Sequence, residues 1–176
     1  VLEDAKITDD LIDNAINSAF WNGGQNCSAN MRQIIHSKVK DEFLEKISKK
    51  VKNIKVGDPL DPETNMGSMI SKKHLANVNG YIQKGIDEGA SLLYGGVSKE
   101  DQKGFFAKPT LFDNLKENMT IAQEEIFGPV LGVLTVNDTE EALKIASNSK
   151  YGLHASVFTQ DINKAFHRAK NLPCGT

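Results

Sequence analysis

Cysteine is scarce. The chain has 176 residues and two cysteines, Cys27 and Cys174. Two thiols so far apart cannot staple a disulfide framework, and a zinc site needs more ligands at closer spacing. The four histidines, His36, His74, His154 and His167, show no ligand spacing, so no metal site is expected. An excess of one charge is also missing: 21 Lys+Arg against 23 Asp+Glu leave a net charge of −2. That excludes the basic surplus with which a protein holds nucleic acid or an anionic membrane. No apolar run approaches the roughly 20 residues of a bilayer span. No charged segment followed by an apolar stretch opens the chain, so no secretory signal is read. Neither the Gly-x-Gly-x-x-Gly turn nor the P-loop pattern occurs, so the segment carries no standard phosphate-binding turn. The expected setting is a reducing compartment, the cytoplasm.

What is present fits a globular domain. Hydrophobic residues make up 39% and charged residues 25%, against the low hydrophobicity of disordered chains. A chain of this length buries about two thirds of its unfolded surface, and residues 1–176 are read as one domain. The first residues, Val1-Leu2, look like the tail of a strand, and Gly175-Thr176 like the lead into another. The expectation is a segment of a longer chain.

Helical and strand patterns alternate. Leu11, Ile12, Ala15, Ile16, Ala19 and Phe20 recur at helical spacing, with Thr8 or Asp9 placed to cap the first turn. Gly23-Gly24 breaks that helix, and residues 33–36 read as a short strand. Val39, Phe43, Ile47, Val51 and Ile54 form an i, i+4 stripe among seven lysines, an amphipathic helix with a wet face. Gly57-Asp58-Pro59-Leu60-Asp61-Pro62 is turn chemistry. Ser71 caps a helix carrying Leu75, Val78, Ile82 and Ile86, which Gly89 stops. Residues 91–94 read as a strand and 98–104 as a loop tip. Residues 105–112 read as an extended piece, put at a sheet edge by Pro109. Residues 130–136 are an apolar run of strand length. Asp138 or Thr139 caps the next helix, residues 152–159 read as a strand, and Asp161 caps a last helix with Ile162, Ala165, Phe166 and Ala169. This alternation predicts an α/β fold, a mainly parallel sheet with helices on both faces.

Two motifs could carry chemistry. In Phe20-Trp21-Asn22-Gly23-Gly24-Gln25-Asn26-Cys27-Ser28-Ala29 a thiol follows a helix, inside a glycine-rich turn with exposed amides. Amide dipoles lower a thiol pKa and can hold an oxyanion formed beside it. A buried structural cysteine is the competing reading. In Gln123-Glu124-Glu125-Ile126-Phe127-Gly128-Pro129-Val130 two carboxylates precede an aromatic and a Gly-Pro bend. A carboxylate can take both hydroxyls of a ribose and an aromatic can pack on a flat ring. A turn with Phe127 in the core explains the same residues.

Together the motifs resemble the aldehyde dehydrogenase superfamily along essentially all 176 residues. The resemblance runs through Gly24-Gln25-Asn26-Cys27-Ser28-Ala29 with Arg32, Gly57-Asp58-Pro59, Met66-Gly67, Lys108-Pro109-Thr110, Glu124-Glu125-Ile126-Phe127-Gly128-Pro129-Val130, Asn148-Ser149-Lys150-Tyr151-Gly152-Leu153 and Gly175-Thr176. Val1-Leu2-Glu3-Asp4-Ala5 and Pro59-Leu60-Asp61-Pro62-Glu63-Thr64 look closest to amino-aldehyde and gamma-glutamyl-aminobutyraldehyde members.

The resemblance implies a catalytic-domain segment and a set of roles. Cys27 would attack an aldehyde to give a thiohemiacetal, its own backbone N–H helping to hold the oxyanion. Hydride would pass to NAD or NADP, and water would release the acid from a Cys27 thioester. Glu125 would bind the nicotinamide ribose, Phe127 would pack beside the ring, and Leu153 would line the same cleft. Trp21 and Ser28 would line the aldehyde tunnel. The full-length protein would be a homodimer or homotetramer acting on a small-molecule aldehyde, with neither nucleic acid nor membrane as partner. The family's general-base glutamate sits in a Glu-Leu-Gly-Gly-type segment that this sequence does not contain, and Glu3 does not replace it. The segment alone is therefore expected to be inactive. Two alternatives are a cofactor-independent cysteine acyl-transfer enzyme, with His36 or His154 as base, and a non-catalytic relative that keeps the fold. Cys174, beside Pro173 and without a glycine–amide nest, is expected to be incidental.

Overall fold

The structure is a computed structural model that describes residues 1–99 and 103–175. The middle of the expected 98–104 loop tip and Thr176 of the expected closing strand lie outside the described residues. Among the described residues six α-helices and four strands follow in the order α1 (Asp9–Phe20), β1 (Arg32–His36), α2 (Ser37–Val51), α3 (Lys72–Asp87), β2 (Ser91–Tyr94), β3 (Thr110–Asp113), α4 (Thr120–Gln123), β4 (Val130–Val136), α5 (Thr139–Ser147) and α6 (Ile162–Asn171). The caps are the residues that the sequence marks. Thr8 Oγ1 accepts from Leu11 N at 3.2 Å and Ser71 Oγ from His74 N at 3.1 Å. Asp138 Oδ1 accepts from Glu141 N at 2.7 Å and Asp161 Oδ1 from Asn163 N at 2.8 Å. Each satisfies an amide that the first helical turn leaves free.

The strands form one sheet in the order β1-β4-β3-β2. β4 runs parallel to both β1 and β3, and β2 is antiparallel to β3. Alternate side chains of β4 leave on opposite faces. Leu131 and Val133 join Leu111, Ile35 and the apolar stripes of α1 and α2, including Ile12, Phe43 and Ile47. Val130, Leu134 and Val136 join Phe112 and the stripes of α3, α4 and α5, including Val78, Ile82 and Ile145. Helices thus cover both faces of a mainly parallel sheet, as the alternation predicts.

Two expectations are corrected. β3 is an interior strand, between β4 and β2. Pro109 does not force it to the edge because it precedes the first ladder residue; Thr110 N is already bonded to Pro129 O at 2.8 Å. Residues 152–159 form no ladder. Isolated bonds hold them instead: Leu2 N to Phe158 O at 3.0 Å and Gly175 N to Gly152 O at 2.9 Å. The apolar side chains of α6 that the sequence picks out are also not core, since Ile162 is 65% and Phe166 69% exposed.

Candidate active site

The two chemical motifs meet because of the sheet register. β1 pairs with β4 so that Arg32 lies opposite Gly132 and His36 opposite Val136. Cys27 precedes Arg32 by as many residues as Phe127 precedes Gly132. Two parallel neighbours entered from the same end carry their entry loops side by side. The contact is intimate. Gly24 has φ +70°, and a Cβ placed on it would lie 2.2 Å from Gly128 O. Glycine is needed there for conformation and for space together.

The Cys27 loop is built by amides. After α1 the chain makes a 3-10 turn, Trp21–Gly24, in which Asn22 and Gly23 are left-handed. Asn22 Nδ2 donates to Gln25 O and Gln25 Nε2 to Asn22 O, both at 3.1 Å. Gln25 Oε1 accepts from Ile70 N at 2.9 Å, pinning the turn to a distant segment. Asn26 Oδ1 accepts from Ser28 N at 3.2 Å and from Ser28 Oγ at 3.1 Å, closing a turn over Cys27. Cys27 is exposed, and its polar contact among the described residues is Asn26 Oδ1, 3.9 Å from Sγ. The reading of Cys27 as a buried structural thiol therefore fails.

The facing loop is equally constrained. Glu124 and Glu125 are exposed and Phe127 is half-buried, with Phe127 left-handed at φ +54°. Tyr81 Oη donates to Glu124 Oε2 at 2.9 Å. That bond, with burial adding to it, holds the Tyr81 phenol above its ordinary pKa. Glu125 N donates to Tyr151 Oη at 3.4 Å. His74 Nε2 lies 2.7 Å from Phe127 O.

Arg32 ties the two loops to the helices behind them. Its guanidinium donates to Ala122 O at 3.1 Å, Ile145 O at 3.4 Å and Ala146 O at 3.2 Å. These carbonyls close α4 and α5, where a cation complements the helix dipole. Burial lowers the Arg32 pKa, partly offset by the charge of Glu117.

A cleft of about 370 Å³ opens beside β1, and Cys27, Ser28, Arg32, Glu125 and Leu153 line it. Trp21 and Phe127 do not line it. Trp21 is 66% exposed on the turn before Cys27, and Phe127 packs its ring edge-on to His74 with centroids 6.3 Å apart. Cys174 lines the cleft as well, which sequence alone does not foretell. His36, one of the two candidate bases, is 5% exposed, and its Nδ1 accepts from Lys38 N at 3.2 Å as the cap of α2. Sequence reasoning gives no role to His74, Tyr81 or Tyr151, whose contacts are with neighbours remote in the chain. The described residues hold no group of three His, Cys, Asp or Glu that could bind a metal ion. None of the described helices is long and apolar enough to cross a membrane.

Comparison with known proteins gives the same answer as the site. The sequence profile of the aldehyde dehydrogenase family matches residues 1–176. A relative from Staphylococcus saprophyticus is 46% identical over 178 aligned residues, which take in 100% of this chain and 37% of the relative. The solved NAD+ complex of aldehyde dehydrogenase from Bacillus cereus superposes with a TM-score of 0.95 at 41% identity, over 100% of this chain and 35% of that one. Betaine aldehyde dehydrogenase from Staphylococcus aureus, also solved with NAD+, gives 0.89 at 38% identity, over 94% of this chain and 33% of that one. This chain spans about a third of the length of the proteins that it matches, and across that third the likeness is continuous. A match of this extent, on a fold that brings the same two motifs together, makes the chain a member of the aldehyde dehydrogenase family.

Proposed function

We propose that the full-length protein oxidises an aldehyde to a carboxylic acid with NAD or NADP, using Cys27 as nucleophile. The observation that carries the reading is the juxtaposition of an exposed Cys27 with the Glu124–Phe127 loop through the Gly24–Gly128 contact. Members of the family solved with NAD+ bound share this fold.

The residues present fit the cofactor. Glu125 offers an exposed carboxylate on the cleft wall, suited to the paired hydroxyls of the nicotinamide ribose. Leu153 adds an apolar side chain to the same wall. Phe127, which the resemblance assigns to pack beside the nicotinamide ring, does not line this cleft and packs edge-on to His74. Bound NAD or NADP supplies the acceptor for the hydride.

The chain's own part is the sulfur chemistry. The Cys27 thiolate adds to the aldehyde carbon, forming a C–S bond as the carbonyl π pair moves to oxygen. We assign the Cys27 backbone N–H to hold that oxyanion, and Ser28 lines the same cleft. The carbonyl re-forms as hydride leaves with its bonding pair, and a thioester remains on Cys27. Water cleaves the thioester to acid and free thiol, a step assigned to no residue of this chain. Trp21, exposed on the turn before Cys27, is assigned to the aldehyde's approach. We place the protein in the cytoplasm as a homodimer or homotetramer, in keeping with two free thiols.

The test is a pair of serine variants in the full-length protein. Cys27→Ser abolishes NAD(P)H formation, while Cys174→Ser leaves most of it. Equal losses in both would overturn the assignment, because Cys174 lines the same cleft.

A further inference from the structure

We infer that His74 is a positioning residue: its imidazole N–H holds the Phe127 carbonyl and so fixes the loop that presents Glu125 to the cofactor. The inference rests on the cofactor reading of Glu125 given above.

His74 stands in the first turn of α3 and is half-buried. Its Nε2 is 2.7 Å from Phe127 O. A carbonyl oxygen only accepts, so Nε2 carries the hydrogen, and it does so in both the neutral and the protonated ring. The His74 backbone is itself fixed, because its N–H is the one Ser71 Oγ caps at 3.1 Å. The ring meets Phe127 edge-on, 68° from its plane.

The bond matters because Phe127 is strained. At φ +54° it adopts a conformation that residues with a Cβ rarely hold without outside support. The support comes from one face of α3, where His74, Val78 and Tyr81 follow at helical spacing. His74 bonds the loop backbone at Phe127. Val78 fills the space at Gly128, where a Cβ would lie 2.5 Å from Val78 Cγ2. Tyr81 bonds the Glu124 side chain at 2.9 Å. Glu125 lies between the residues gripped at either end. Removing the imidazole lets Phe127 relax toward an ordinary φ and rotates the peptides next to Glu125. Cys27 is held by its own bonds, from Asn22, Gln25 and Asn26, and Gly128 stays seated between Val78 and Gly24, so the damage falls on cofactor binding.

The experiment uses the full-length enzyme and whichever of NAD or NADP supports turnover. His74→Leu raises the cofactor KM about five- to ten-fold, the worth of one lost hydrogen bond. The rate of Cys27 alkylation stays within about two-fold, as expected of a group that acts elsewhere. His74→Gln, whose amide reaches the same carbonyl, recovers most of the KM. A fall in thermal midpoint with the KM unchanged would show a merely structural role and overturn the inference. If His74→Leu does not fold, His74→Asn, polar but too short to reach, shows the same KM shift in folded protein. Glu125→Gln, measured alongside, separates the two readings. If it weakens cofactor binding and the His74 variants do not, the positioning role fails and the Glu125 reading stands. If it leaves cofactor binding unchanged, the Glu125 reading fails, and the role of His74 with it.

Discussion

Gly24 is the residue on which the geometry of the site turns. Its left-handed backbone lies so close to Gly128 that the Cys27 loop and the Glu125 loop share a wall. A methyl group there would be 2.2 Å from Gly128 O at φ +70°. The left-handed conformation costs an alanine about 1–2 kcal/mol, and overpacking adds about 1–3 kcal/mol. Gly24→Ala is therefore expected to lose about 3 kcal/mol of unfolding free energy by urea titration and to slow Cys27 alkylation. Gly67 supplies the control. It belongs to another family-like motif, but nothing lies within 4 Å of its added Cβ and its φ is not positive. Gly67→Ala should fall within about 0.5 kcal/mol of the parent, as changes away from such features do. Equal losses at the two glycines would show that the loop contact is not what fixes the site.

The helices show what a one-dimensional pattern can and cannot carry. α1, α3 and α5 are legible because each has a short polar cap and an apolar stripe that ends in the core, and α2 is legible from its stripe alone, since its cap is His36. β4 is legible as an apolar run. Residues 152–159 have the composition of a strand, yet a strand is a relation to a neighbour, and composition does not supply the neighbour. α4 has four residues, too few for a period. Cys27 and Glu125 stand out in the sequence by residue type and neighbours, whereas the His74–Phe127 bond and the Gly24–Gly128 contact join positions that no local pattern links. The same holds for the attachment of α6. Lys164 Nζ reaches Glu3 Oε1 at 2.6 Å, and Thr159 Oγ1 and Gln160 N donate to Asp4. The Lys164 hydrogen bond is the largest influence lowering the Glu3 pKa. Burial works to raise that of Asp4, but the bonds from Thr159 and Gln160 outweigh it and leave it lowered. A carboxylate with a depressed folded pKa stabilises above its ordinary range and loses that contribution as pH falls through the folded value. Lys164 is shifted upward, so its share is present at neutral pH and fades only above its ordinary 10.5. Amide-exchange protection in α6 is thus expected to be constant near neutrality and to fall below pH about 4. In Lys164→Met the acid-side fall should be shallower. An unchanged slope would show that this cluster does not anchor the helix.

Helices on both faces of a mainly parallel sheet leave the entry loops of β1 and β4 together at one end. That placement is the physical content of the likeness to aldehyde dehydrogenases, and it puts a thiol and a carboxylate roughly 100 residues apart in sequence into adjoining loops. A cofactor-independent acyl-transfer enzyme on the same frame would need an oriented histidine base for Cys27. His36 is committed to capping α2; His154 does line the cleft, with its Nε2 3.4 Å from Ser156 Oγ, but among the described residues the polar contact of Cys27 is an asparagine. The two chemistries differ in what they do with an aldehyde before water arrives. The deciding measurement is a single turnover of the full-length protein with aldehyde, in the presence and absence of oxidised cofactor, quenched in acid and read by peptide mass spectrometry. The account predicts an acyl group on Cys27, formed only with NAD or NADP and in step with the reduced cofactor. An acyl group on Cys174, or acid released with no cofactor reduced and no acyl-Cys27, would contradict it.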